Sequence, residues 1–497
     1  MLNNTQDNAP TRSALLDESV WEKSTFNGRW RSTRESLIVT EPATGERLGS
    51  VGACAPADLD EVVAAARNGQ TQWAAWTAEQ RAALMRRAAA ILEQDREAII
   101  GMIIRETGGV RGKAEVELQG TIDELIHSAA ILIGPEGHLL PGTHPARLSF
   151  ARRVPIGIVG VIAPWNFPML LAMRSVAPAV ALGNAVILKP DPQTPIVGGA
   201  LLARMFELAG LPEGVFSVVN GGADVGEALV TAEGVRMITF TGSTAVGRRV
   251  GELAGKNLKK VALELGGKSP FIVLDDADLE AAASAGAWGS FLHQGQICMA
   301  SGRHIVQRKV AADYLALLAA KAKALPIGDP YRQQVAIGPI INDRQVARVQ
   351  QIVDDSVAAG AALLAGGTHE GRFYRPTVLG DVKPGMPAYG LEIFGPVAPV
   401  VIVDDEEEAI RIANDTEYGL SAAVQTGSLE RGLRVARRIR SGLMHINDQT
   451  IHDHAGIPFG GTGASGNGSR FGSPTNWDEF TEWQWMTLSS EPARYPF

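Results

Sequence analysis

One pattern constrains this chain more than any other: a short apolar run, then a stretch of helical length, repeated. Gly157 opens GIVGVIA, Asn184 opens NAVILKP, Gly214 opens GVFSVVN and Val235 opens VRMITFTG. Each run is β-branched, short and bounded by Gly, Pro or Asn, which are the marks of a strand. Each is followed by Ala/Leu-rich sequence long enough to make a helix. Strands joined through helices pair in parallel, because the helix carries the chain back to the same end of the sheet. Runs that are apolar throughout imply helices on both faces. The expected class is α/β, with a doubly wound parallel sheet.

The pattern resumes after Glu264. PFIVLDD, a helix over 279–292 and HIVQRKV follow, then APVVIVDD and GLMHIND, which predicts a second α/β unit. Ahead of the first sheet, Asp58 is placed to cap an Ala-rich helix through Trp73. A further helical pattern covers 78–106 and stops at Gly108-Gly109. Residues 1–32 are polar and read as an irregular lead-in arm. The acidic run over 404–408 reads as a solvated helix start, and GGTGASGNGSRFG from Gly460 as a flexible linker or loop.

Charge and cysteine content narrow the function classes. The net charge of -8 offers no basic field for nucleic acid or an anionic membrane. The longest apolar stretch, 169–186, is broken by Arg174, Pro178 and Gly183-Asn184, so no membrane span is expected. The start, MLNNTQDNAPTRSALLDESV, lacks the basic and apolar regions of a signal peptide. Two widely spaced cysteines, Cys54 and Cys298, are no disulfide framework and fit a reducing compartment, hence a cytoplasmic location.

Four places can carry chemistry. Cys298, in HQGQICMA, is either a buried core thiol or a nucleophile whose thiolate adds to carbonyls. His293 is a poor base for it, since residues five apart on one helix point about 140° apart. Glu264, in VALELGGKSP, is either an ordinary strand-end carboxylate or a general base with a pKa raised by apolar surroundings. FTGSTAVG follows a strand and opens a helix, so Gly242 and Ser243 suit a phosphate and Gly247 suits close helix packing. Lys189 ends another strand, where ligands of such sheets bind, and is well placed to touch a ribose. In APWNFP two prolines pin a turn, and Asn166 is either a turn residue or a donor to an oxyanion.

Singly these signals are ambiguous; their order is not. PWNFP, FTGST, ELGGK, GQIC, EIFGP and PFGG resemble the sequential signatures of the aldehyde dehydrogenase superfamily. Glu264 and Cys298 are 298 − 264 = 34 residues apart, as in that family. The resemblance implies that Cys298 is the nucleophile, Glu264 the general base, and Asn166 with the Cys298 N–H the oxyanion hole. It implies that Gly242, Ser243 and Gly247 serve the pyrophosphate region, Lys189 the adenosine ribose, Trp165 the cofactor, and Glu392 and Phe394 the nicotinamide ribose. The implied cofactor is NAD, with NADP possible, and no metal is implied. The thiolate adds to the aldehyde, Asn166 stabilises the alkoxide, a hydride leaves, and Glu264 activates water to hydrolyse the thioester.

The resemblance also implies three parts. Residues 1–136 and 155–264 form the NAD(P)-binding domain, 265–446 the catalytic domain. Residues 137–154 and 447–497 form a small β-rich oligomerisation element and a pocket-lining loop. An exposed strand there implies a homodimer or homotetramer.

Two departures stand out. Pro192, preceded by Asp191, occupies the position where NAD-preferring members usually carry a ribose-binding glutamate, and PFGG is followed by Thr462-Gly463 instead of a lysine. Together AMRSVAPA, LKPDP and PFGGTGASGNGSRFG resemble bacterial benzaldehyde (aryl-aldehyde) dehydrogenases. By that resemblance Phe167, Ile297, Met299 and Phe459 line the substrate pocket. Arg174, about one helical turn after PWNFP, is either a structural arginine or the partner of a substrate carboxylate, as a semialdehyde dehydrogenase would need. A catalytically silent member of the fold is the alternative of another class.

Overall fold

The computed structural model describes residues 13–142, 144 and 147–497. Two seven-stranded sheets dominate. The first runs in the order Lys260–Glu264, Val235–Thr241, Ile158–Ile162, Ala185–Lys189, Phe216–Val218, then Ser24–Phe26 and Trp30–Ser32. Its first five strands are parallel. The central strand Ala185–Lys189 is buried at every residue, as expected for a sheet covered on both faces. The second sheet contains Thr377–Gly380, Val397–Val403, Ser301–Gln307, Ser269–Val273, Ser421–Gln425 and Leu443–Ile446 in parallel. Ala362–Ala365 joins its edge antiparallel. The α/β class and the parallel pairing follow the sequence reading.

Four local expectations need correction. The segment 24–32 is no irregular arm: it forms an antiparallel hairpin that extends the first sheet through Phe26 and Val218. Buried Trp21 and Phe26 supply the apolar anchors for it. The first twelve residues of the expected arm lie outside the described residues. Asp58 acts one turn early: its side chain accepts from the Ala55 N–H, closing a short 3-10 turn that leads into the helix Leu59–Ala74. The pattern over 78–106 is two helices, Ala78–Gln94 and Arg96–Thr107, broken at Asp95 and ended by Gly108 at φ 70. The glycine-rich stretch from Gly460 is a packed loop, with the Leu265 N–H donating to Ser465 O at 2.9 Å. Glycine content measures freedom before folding; here backbone hydrogen bonds hold the segment against the first sheet.

A third, three-stranded antiparallel sheet joins Gly137–Leu140, Arg147–Pro155 and Thr481–Ser489. Thr481–Ser489 is an edge strand, and Trp485 and Leu488 on it are 70% and 51% exposed.

The strand order reverses between Ile158–Ile162 and Val235–Thr241: the chain moves from the former to one side, then returns to the latter. In doubly wound sheets a crevice opens at such a reversal, beyond the carboxyl ends of the strands. PWNFP leaves the first of these strands and FTGST the second.

Candidate active site

Two cavities meet at Cys298. One, of about 220 Å³, sits at the strand reversal and is lined by Trp165, Gly242, Ser243, Glu264, Glu392 and Phe394, with Asn166 and Cys298. The other, of about 330 Å³, is lined by Phe167, Arg174, Ile297, Met299 and Phe459, again with Asn166 and Cys298. Residues drawn from 165 to 459 in the sequence thus converge on one thiol. Lys189 and Gly247 are not among the lining residues of the first cavity. The Lys189 ammonium donates to Pro190 O at 3.3 Å, and a Cβ at Gly247 would stand 2.2 Å from Leu265. Gly247 therefore serves packing, and it does so against the Leu265 side chain.

The Cys298 loop is held by buried amides. Gln294 donates to Gly108 O and Pro339 O at 2.9 and 2.8 Å, and Gln296 Oε1 accepts from the Ile341 N–H at 3.0 Å. His293 and Gln294 adopt positive φ (48° and 57°), so the segment is a kinked 3-10 turn. His293 and Cys298 therefore do not lie on one helix, and full burial of the His293 ring is in keeping with a structural role. Such backbone costs about 1–3 kcal/mol per residue and persists only where its surroundings over-determine it. The His293 ring is fully buried edge-on to Phe167, and burial holds its pKa well below the usual range. A Cβ at Gly267 would lie 2.4 Å from Cys298 O, so only glycine lets the strand crossover approach the thiol loop this closely.

Asn166 follows the strand Ile158–Ile162 in a turn pinned by Pro164 and Pro168. Its amide donates to Gln296 O at 2.9 Å. An amide carries two N–H donors, so this bond leaves one to spare. The helix Pro168–Ala181 behind it starts with the Met169 N–H donating to Glu117 Oε1 at 2.9 Å. Glu117 pairs with fully buried Lys113. Glu106, likewise buried, accepts from the N–H groups of Ile196 and Val197 at 2.8 and 2.7 Å. Burial raises its carboxyl to about 8 despite those bonds. Sequence reasoning missed this support; its only trace is acidic residues at helical spacing within apolar sequence.

Electrostatics set the resting protonation. Burial pushes the Cys298 thiol up to about 12, with Arg174 opposing the shift and Glu392 and Glu264 adding to it. Cys298 is only partly buried and lines both cavities, so the thiol is within reach of a ligand in either. Glu264 ends its strand as expected. It is 3% exposed, and both carboxylate oxygens are buried without hydrogen-bond partners among the described residues. Burial lifts its pKa well above the ordinary carboxylate range, against the pull of Arg174 and Arg470.

Opposite, Glu392 Oε1 accepts from the Gly267 N–H at 3.0 Å, and Arg348 donates to Glu392 O and Ile393 O. Phe394, at φ 56, meets Trp165 edge-on at 5.4 Å. Arg348 and Gln345 also line this cavity, and the sequence reading had not singled them out.

The family profile described as the aldehyde dehydrogenase family matches residues 30–486. The chain belongs to the aldehyde dehydrogenase family. It is 51% identical over 483 residues to a benzaldehyde dehydrogenase [NAD(+)] of Pseudomonas putida, covering 97% of this chain and 99% of that one. It is also 51% identical over 486 residues to a vanillin dehydrogenase of an Amycolatopsis species, covering 97% and 100%. A solved salicylaldehyde dehydrogenase from Pseudomonas putida G7, complexed with salicylaldehyde, superposes with a TM-score of 0.92 at 34% identity, covering 96% and 99%. The aldehyde dehydrogenase resemblance, drawn from six short motifs, therefore extends over nearly the whole chain. No helix among the described residues is long and apolar enough to cross a membrane.

Proposed function

We propose that this aldehyde dehydrogenase oxidises aromatic aldehydes to carboxylic acids with NAD, through a covalent thioester on Cys298. The observation that carries the reading is the meeting of two unlike cavities at one thiol. One is lined by a strand-to-helix glycine turn and polar groups; the other is lined by Phe167, Ile297, Met299 and Phe459. Burying an aromatic ring among apolar side chains gains roughly 25 cal/mol per Å2 of area removed from water. The 51% identical relatives named for benzaldehyde and vanillin agree with it.

In this reading Cys298 releases its proton to solvent to form the attacking thiolate, which accounts for the one proton that aldehyde oxidation by NAD sets free. Its sulfur bonds to the aldehyde carbon, and the alkoxide takes the spare N–H of Asn166 and the Cys298 backbone N–H. Ser243 caps the helix Thr244–Lys256 through its backbone, with no side-chain bond spent on the cap, so the helix N-terminus suits a pyrophosphate. Glu392 and Phe394 orient the nicotinamide end beside Trp165, and Lys189 approaches the adenosine ribose. When bound, the dinucleotide supplies the hydride acceptor. Glu264 then takes a proton from water, which hydrolyses the thioester and frees Cys298.

We read residues 1–136 and 155–264 as the cofactor domain, 265–446 as the catalytic domain, and the three-stranded sheet as a pairing surface for a homodimer or homotetramer. The free thiols of Cys54 and Cys298 suit the reducing cytoplasm. NADH release with benzaldehyde, compared with hexanal, tests the substrate class. Faster kcat/KM with hexanal would refute it.

A further inference from the structure

The helix Arg111–Ile131 turns a polar row toward the helix Pro168–Ala181. Glu117 is spent on the Met169 N–H and on Lys113, and the Thr121 hydroxyl donates to Glu117 O at 2.8 Å. The next member, Glu124, differs. It is 3% exposed and lines the cavity that holds Cys298 and Phe167. Its Oε2 is buried without a hydrogen-bond partner among the described residues. The nearby cation, Arg174, forms its ion pair with Asp453.

Buried polar atoms in native interiors are almost always paired. In a residue that lines a cavity, an unpaired carboxyl of this kind is one whose bonding a ligand's donor group can complete. The site's apolar walls account for an aromatic ring but leave Glu124 unused. Burial shifts the Glu124 carboxyl well above its usual range, against the pull of Arg174, and in either protonation state its oxygens accept a hydrogen bond from a donor. A ring hydroxyl matches it: uncharged, with one O–H to give. A carboxylate substituent would instead meet Asp453 and the buried Glu124 without a free cation.

We propose that Glu124 determines specificity by hydrogen-bonding a ring hydroxyl, so that hydroxylated aromatic aldehydes are the preferred substrates of this cavity. The proposal rests on the aromatic-aldehyde reading above. It asks nothing of the reacting atoms, which are Cys298, Asn166 and Glu264 as before.

The test is kcat and KM for benzaldehyde, 3-hydroxybenzaldehyde and 4-hydroxybenzaldehyde, on the acid side of neutrality so that the hydroxyl keeps its proton. Wild-type, Glu124→Gln and Glu124→Leu enzymes are compared. The better hydroxylated substrate should have a wild-type KM about 10-fold below that of benzaldehyde, the usual worth of one well-placed hydrogen bond. Glu124→Leu should raise that KM by about 10-fold while benzaldehyde changes by less than about twofold, and Glu124→Gln should keep most of the preference. Equal losses on both substrates would make Glu124 structural and overturn the proposal, as would a hydroxyl preference untouched in Glu124→Leu. Should that variant fail to fold, 4-fluorobenzaldehyde on the wild type decides, since fluorine cannot donate. A KM equal to that of 4-hydroxybenzaldehyde overturns the proposal, and one about 10-fold higher supports it. Benzaldehyde turnover without a Glu124-dependent preference removes this proposal alone. An enzyme that oxidises none of these aldehydes removes the aromatic reading with it.

Discussion

Arg174 and Asp453 form an ion pair inside the substrate cavity, with side chains only 6% and 19% exposed. The guanidinium also lies 4.0 Å from the centroid of Phe459. Burial by itself would lower the Arg174 pKa, but Asp453 and Glu124 outweigh it and raise it. The arginine thus faces the pocket, as a semialdehyde dehydrogenase would require, yet its charge is already matched. We expect kcat/KM for benzaldehyde to exceed that for succinate semialdehyde. Asp453→Asn should free the cation and raise relative use of succinate semialdehyde by about 10-fold, as one charge-assisted bond gained. An unchanged substrate ratio would show that Arg174 does not reach the substrate.

Cys298→Ser should abolish NADH production, whereas Cys54→Ser should be nearly silent. Cys54 is a half-buried thiol beside Thr25 and lines neither cavity. Because burial sets the Cys298 thiol at about 12, it is protonated at neutral pH and ionises only as pH rises toward that value. Alkylation of Cys298 by iodoacetamide without cofactor should therefore be slow at pH 7 and climb steadily above pH 9. A flat profile would mean that the thiolate is already formed.

Glu264→Gln keeps the shape and removes the base. Steady turnover should fall by roughly 10²–10⁴. Intact-protein mass spectrometry should then show acyl-enzyme on Cys298. The raised Glu264 pKa means that the acid form dominates at low pH and the active base appears only as pH rises past the usual carboxylate range. Where deacylation limits kcat, activity should climb with pH in the wild type and lose that limb in Glu264→Gln.

For the coenzyme we expect higher kcat/KM with NAD than with NADP, and detectable use of both. Pro192 removes the carboxylate that would bind ribose hydroxyls, which weakens NAD binding. Asp191 lies next to Lys189 and its Oδ1 accepts from the Gln193 N–H at 2.9 Å, which keeps a negative charge near the ribose end. Like charge at short range disfavours a 2′-phosphate. Asp191→Ser should narrow the gap between the coenzymes; a native preference for NADP would contradict the argument.

The exposed edge strand Thr481–Ser489 should be a subunit contact. Trp485→Glu places a charge in that face, so the species seen in light scattering should shift toward monomer. Retention of the wild-type mass would assign Trp485 to open surface.

Much of this was legible in the sequence because it depends on neighbours along the chain. β-Branched runs bounded by Gly and Pro become strands wherever they fall, as GIVGVIA and NAVILKP did. A glycine-serine turn after such a strand leaves free N–H groups at the next helix, as at Gly242-Ser243. The proposed nucleophile, base and amide were named from motif order, and the structure brings all three to one cavity. Other features depended on contacts that no local pattern encodes. GGTGASGNGSRFG read as a flexible linker or loop until its backbone was seen bonded to the Leu265 strand crossover. The path of the chain between His293 and Cys298 is likewise set by distant partners, since the buried amides of Gln294 and Gln296 bond to Gly108, Pro339 and Ile341.

Arg174 is the clearest case. By sequence it was either a structural residue or a carboxylate receptor, and nothing nearby in the chain decides between them. Its partner Asp453 lies 279 residues away, as the chain returns past the second sheet. The pair also shares its cavity with Glu124, on yet another helix. Coulomb energy depends on distance and on the surrounding dielectric, and both are properties of the packed tertiary structure. The kind of chemistry was therefore written in local sequence, while the charge that a substrate meets was set only when three distant segments closed around one cavity.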